Sequence, residues 1–277
     1  MDKLVAGIHL SGLHSSKTSI VVLRASGSGE KCEFVDSFDS LGPIGGKTSD
    51  DRIMEVFSHV DPVESIFTDA PTFAPPCIEC ELSTCPGLAE CVDIDAAYLT
   101  KVWSEESPQR TKSQRKRVVN PQQHRVADLP VLLGKEGPQL NQDYSLGYSP
   151  NRAHLLSRVE VLQKKLNHID RGLVLLETNV SRTLSRIAIH HGLAPSIGGD
   201  YRNFEKGTDA RNTFLLALLD TGYLDLTELQ RFKLQSELPL FEAFVCAYVG
   251  VLYSRGRAEL PPTHQQSKRK WVYLPRF

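Results

Sequence analysis

Residues 64–71, ESIFTDAP, read as a short apolar strand that ends on an acid, Asp69, and is broken at once by Pro71. The segment before it, SDDRIMEVFSHV (49–60), offers Ser49 as an N-cap, Asp50 and Asp51 in the first turn and apolar residues at helical spacing, which predicts an amphipathic helix. Earlier still, LVAGIHLSG (4–12), KTSIVVLRAS (17–26) and CEFVDSFDSL (32–41) are strand-length runs whose glycine-containing separators suit hairpins. Downstream, SPNRAHLLSRVEVLQKKLNHI (149–169) has Leu and Val at helical intervals, GLVLLETN (172–179) is a buried-strand run, and VSRTLSRIAIHHG (180–192) is a helix stopped by Gly192. Residues 208–222 and 237–256 predict two further helices, and WVYLPRF (271–277) an edge strand or packed tail. The expected architecture is therefore α/β, a mixed five-stranded sheet with flanking helices.

The most specific chemistry lies just after the decisive strand. Four cysteines, Cys77, Cys80, Cys85 and Cys91, fall within CIECELSTCPGLAEC (77–91), and Pro86-Gly87 supplies the turn that brings the outer pair back together. Thiolates are strong soft-metal ligands, so this spacing predicts one metal centre, a 4Fe-4S cluster favoured over Zn2+. Cys32 and Cys246 lie in strand-like and helical apolar runs and read as core residues.

Three acids occupy the ends or faces of predicted elements: Asp69 after the fourth strand, Glu177 at the end of the fifth, and Glu242 on the long helix FEAFVCAYVGVLYSRG (241–256). Carboxylates gathered in this way can hold Mg2+ or Mn2+ for phosphodiester hydrolysis. Each also has a plainer reading: Asp69 as a turn residue beside Pro71, Glu177 as an acid stabilised by the helix that follows, Glu242 as part of a solvated stripe.

With these residues in place, the chain resembles an uncharacterised family of predicted nucleases with the RNase H-like fold, in the resolvase-like branch. The likeness is carried by GIHLSG followed by TSIVVL, by TDAP, by LLET, and by the alanine-containing acid helix. A subgroup with a cysteine loop directly after the DAP motif is similar to APPCIECELSTCPGLAEC (74–91) here. The resemblance implies one RNase H-like domain over residues 1–277, with 74–150 an insertion carrying the cysteine loop and a basic loop. It also implies a metal-dependent nuclease with Asp69, Glu177 and Glu242 as ligands. The family places an aspartate on the first strand, in a GxDxS pattern, where this chain has His9. A histidine ligates Mn2+ or Zn2+ but is a poor Mg2+ ligand. Three readings follow: an altered metal preference with His9 as a variant ligand, a different chemistry, or a non-catalytic module that binds nucleic acid or a protein. His9 as a hydrogen-bonded core histidine is the plainer alternative.

The overall balance excludes global attraction to nucleic acid, because the 277 residues carry a net charge of -1. Any such partner, DNA or RNA, must meet a local patch, and RTKSQRKR supplies one in Arg110, Lys112, Arg115, Arg117 and Lys116. A solvated loop is the plainer reading of such a run. Trp103 and Trp271 are the candidates for base stacking. No long uncharged apolar run and no secretory leader pattern is present, so a cytoplasmic protein without a membrane contact is expected.

Overall fold

The computed structural model describes residues 2–12, 15–26, 31–105, 119–133, 152–170, 172–261 and 270–277. Strands β1 (Lys3–His9), β2 (Ser19–Ala25) and β3 (Cys32–Phe38) form an antiparallel meander. Helix α1 (Ser49–His59) then carries the chain to β4 (Ser65–Thr68), which pairs parallel to β1. Its N-cap is Thr48 rather than Ser49: the Thr48 hydroxyl accepts from the Asp51 amide, and the Thr48 amide donates to the Asp51 carboxylate. Strand β5 (Leu175–Thr178) adds parallel to β4.

The sheet is α/β and mixed, and among the described residues it has seven strands, including β6 (Leu224–Asp225) and β7 (Val272–Tyr273), in the order β6-β3-β2-β1-β4-β5-β7. The two beyond the expected five are the two-residue edges β6 and β7. Their brevity explains why no alternation announced β6. Beyond α1, the helices of two turns or more among the described residues are α2 (Ile94–Glu105), α3 (His154–Ile169), α4 (Val180–His190), α5 (Gly207–Asp220), α6 (Glu228–Ser236) and α7 (Leu238–Ser254). Helix α4 ends on Gly192 at φ 69°, as its sequence predicts. No single helix among the described residues is long and apolar enough to cross a membrane.

Strand alternation sorts the core into two layers. Ala6, Ile8, Ile66 and Leu175 pack on Ile53 and Phe57 of α1 and on Val159, Leu162 and Leu166 of α3. Val5, Phe67 and Leu176 face the other way, onto α4, α5 and α7. The α7 layer sits unusually close to β1, because a methyl group at Gly7 would overlap the Ala243 carbonyl oxygen and the Ala247 amide nitrogen. Small residues on both elements thus bring the helix that carries Glu242 down onto the strand that ends in His9.

The described parts of segment 74–150 are tied to the sheet. Leu99 of α2 joins Val119, Val126, Leu129 and Leu132 in a small core, and Phe73 joins Ala127, Val272 and Leu274 in another. Trp271 packs against both of these and against the α7 layer, so it is a structural wedge rather than a stacking surface.

Candidate functional site

His9 is the last residue of β1, and Asp69 follows the last residue of β4. Because Ile8 is in register with Thr68, the two side chains emerge next to each other at the carboxyl ends of adjacent parallel strands, on the α7 side. Glu242, in the second turn of α7, comes down between them. His9 Nδ1 lies 3.2 Å from Asp69 Oδ2 and 3.0 Å from Glu242 Oε2. The imidazole nitrogen and one oxygen from each carboxylate all lie within 4.8 Å of one another.

Two arginines complete the group. Arg202, from the turn after Tyr201, donates from Nε to Glu242 Oε1 at 2.5 Å, and its Nη2 pairs with the same oxygen and lies 3.9 Å from Asp69 Oδ2. Arg152, just ahead of α3, places Nη2 3.4 Å from Asp69 Oδ2. Burial of His9 works to lower its pKa, but Asp69 and Glu242 outweigh burial and lift it to about 10, so the ring is an imidazolium at neutral pH. Burial likewise works to raise Asp69. His9, Arg152 and Arg202 overcome it and hold the carboxyl below the usual range, and His9 and Arg202 do the same for Glu242. The group is not saturated: Asp69 Oδ1 and Arg152 Nη2 are buried with no hydrogen-bond partner among the described residues.

Glu177, expected as the third carboxylate, is not part of this cluster. It is in register with Thr68, not Asp69, so alternation turns it toward the opposite face of the sheet. There it meets Arg125, whose Nη1 and Nη2 each donate to one Glu177 oxygen at 2.8 Å, while the Thr72 amide donates to Oε2 at 2.8 Å. Arg125 also donates from Nε to Asp128 Oδ2 at 3.1 Å and from Nη1 to the Phe73 carbonyl at 3.2 Å. Its guanidinium stands 4.2 Å above the Phe73 ring. Every charge in this second cluster has a partner, and its function is to clasp residues 119–133 to the sheet.

The four loop cysteines line one cavity of about 550 Å3 with Pro76, Ile78, Leu82 and Leu88. All six cysteines of the chain are free thiols. Burial first, then the neighbouring Cys91, Cys85 and Cys80, raise the pKa of Cys77, as expected where thiols share a small volume. Among the described residues the sulfurs form no group of three within 4.8 Å. Four zinc-bound thiolates at about 2.3 Å from the ion stand closer than this, at roughly 3.8 Å from one another. Cys32 and Cys246 are buried in the core, as their contexts predict.

Arg110, Lys112, Arg115, Lys116 and Arg117 lie outside the described residues, as does any account of the Trp103 side chain. Arg152, Arg202 and Arg125 went unnoticed in the sequence because none sits in a charge run. A signal was nonetheless present, since three acids embedded in apolar segments each require a cation from elsewhere in the chain. Comparison of the chain with protein families, with curated proteins and with solved structures returns no match.

Proposed function

We propose that this chain is an RNase H-like, metal-dependent nuclease that cleaves phosphodiester bonds, with a cation site formed by His9, Asp69 and Glu242. The observation that carries the reading is the convergence of one imidazole nitrogen and two carboxylate oxygens within 4.8 Å, beside a buried Asp69 oxygen that no described residue satisfies. Element order supports the fold: a three-stranded meander, a helix, a fourth strand, a helical segment that includes α2 and α3, and a fifth strand. A nitrogen ligand favours Mn2+ or Zn2+ over Mg2+. A divalent ion there would polarise a phosphoryl oxygen and lower the pKa of a bound water.

The chain's own residues account for the rest. Arg202 and Arg152 present guanidinium groups to anionic oxygens, the geometry suited to holding a phosphate. Asp69 and Glu242 fix the His9 ring through Nδ1, and binding an ion through that nitrogen requires the ring to release its proton. The cysteine loop would hold a 4Fe-4S cluster, with Zn2+ as the alternative; four thiols on one cavity supply the donors for either. Anaerobically purified protein should be brown with a cluster and colourless with zinc.

The test is cleavage of single-stranded, duplex and branched DNA and RNA with Mn2+, Zn2+ or Mg2+. Turnover with Mn2+ exceeding that with Mg2+ is expected, and absence of turnover with every ion, in protein whose cysteine loop is loaded, would overturn the nuclease reading. One observation favours a second reading, a non-catalytic nucleic-acid-binding module: both carboxylates already have cationic partners in His9 and Arg202. That reading expects salt-sensitive binding without turnover.

A further inference from the structure

Arg202 opens a tight, well-braced turn. The Asn203 amide donates to the Asp200 carbonyl at 2.8 Å, Asn203 Oδ1 accepts from the Glu205 amide at 2.8 Å and the Lys206 amide at 3.2 Å, and the Gly207 amide returns to the Asn203 carbonyl at 2.9 Å. Gly207 is held so near the Tyr201 carbonyl that a methyl group there would lie 2.7 Å from its oxygen. The backbone from Tyr201 to Gly207 is therefore fixed at both ends.

On this braced turn Phe204 projects fully into solvent. Two residues of chain span at most about 7 Å, so the ring is anchored within a nucleotide's reach of the Arg202 backbone. Glu205 and Lys206 beside it carry opposite charges. Arg202 keeps 25% of its side-chain surface beside its ion pair with Glu242, and Arg152, paired with Asp69, has one Nη that no described residue hydrogen-bonds.

We infer that Arg152, Arg202 and Phe204 form a binding step for single-stranded nucleic acid, with one phosphodiester on the two guanidiniums and the adjoining base stacked on the Phe204 ring. The inference rests on reading the His9, Asp69 and Glu242 cluster as a nucleic-acid site, and it narrows the substrate. A base paired inside a duplex has both faces covered by its neighbours, whereas a base in a single strand has a free face for an aromatic ring.

The experiment is fluorescence anisotropy with a labelled short oligothymidylate and with a duplex of the same length, both in EDTA so that binding is separated from cleavage. The single strand should bind more tightly. Phe204→Ala should weaken it roughly ten-fold or more, and Phe204→Trp should restore it, since stacking is sequence-tolerant and an exposed ring is not needed for folding. Arg152→Gln should weaken single strand and duplex alike and flatten the salt dependence by about one phosphate contact. The inference is overturned if Phe204→Ala binds the single strand like the parent protein, if the duplex binds as tightly as the single strand, or if inorganic phosphate displaces the strand equally from both proteins. Phe204-dependent binding without cleavage in Mn2+ would keep this inference and remove the nuclease reading. Undiminished cleavage by Phe204→Ala would do the reverse.

Discussion

Two buried ionic clusters stand at the carboxyl ends of neighbouring parallel strands, on opposite faces of one sheet. In the Arg125 cluster, Glu177 and Asp128 share a guanidinium that also reaches the Phe73 carbonyl, and the side chains are 1% exposed or less. In the His9 cluster, two carboxylates face three cations, His9 and Arg202 keep 15% and 25% of their side-chain surface, and a carboxylate oxygen has no hydrogen bond among the described residues. The ingredients are nearly the same, but satisfaction and access differ. A fully paired, sealed cluster holds segments together, whereas an incompletely paired one that solvent can reach is poised to accept a ligand.

The comparison is broken most severely at Arg125. Arg125→Met would leave Glu177 buried without its cation, a loss of about 3–5 kcal/mol in a urea unfolding titration. Unfolding near the parent midpoint would mean that the clasp is not structural. In the His9 cluster the stabilising charge can be titrated. Folding raises the His9 pKa from 6.5 to about 10, so the imidazolium's contribution is complete below pH 6.5 and is lost as pH rises through about 10. Compared with His9→Gln in EDTA, the parent should gain on the order of 3 kcal/mol at neutral pH, and the gap should close toward pH 10. A gap independent of pH would place His9 in the core as a neutral, hydrogen-bonded ring.

Asp69→Asn separates the clusters by activity. It should reduce Mn2+-dependent cleavage about 100-fold, equivalent to about 2.7 kcal/mol of barrier, and also lower stability at neutral pH, because Asp69 is the main charge that keeps buried His9 protonated. Glu177→Gln should lower stability with turnover retained in the folded fraction. Equal loss of turnover in both variants, measured at matched folded fraction, would return Glu177 to the reaction.

The same pair of clusters shows what could be read from the chain. The apolar runs of β1 to β5 and the spacing in α1, α3, α4 and α7 follow from local periodicity, and His9, Asp69 and Glu242 were visible as polar residues at the ends or on the faces of those elements. Glu177 looked equivalent to Asp69 because both sit near strand ends. What separates them is one residue of register, Thr68 opposite Glu177, which sends the two acids to different faces. Register is a property of two strands over a hundred residues apart and leaves no local trace. The arginines were hidden for the same reason: Arg125 meets Glu177 across 52 residues and Arg202 meets Glu242 across 40. Strand β6 and the capped helix α6 were missed because a two-residue strand has no period and α6 exposes Leu229 and Phe232 instead of presenting an apolar stripe.

The smallest expected effect falls between the clusters and the cysteine loop. Lys270 Nζ lies 2.5 Å from Glu79 Oε2, joining the start of the loop to the segment that leads into β7, and Glu79 also accepts from the Ala74 amide at 2.9 Å. Both charged ends are substantially exposed, so the ion pair is screened and Lys270→Ala should cost at most about 1 kcal/mol, with a difference that shrinks as salt is added. Loading the cysteines should shrink it further, because a metal centre that folds its own loop leaves the exposed pair little left to organise. A cost of several kcal/mol in metal-free protein would instead mean that the loop is held from outside, by the same kind of paired, structural contact that Arg125 provides for Glu177.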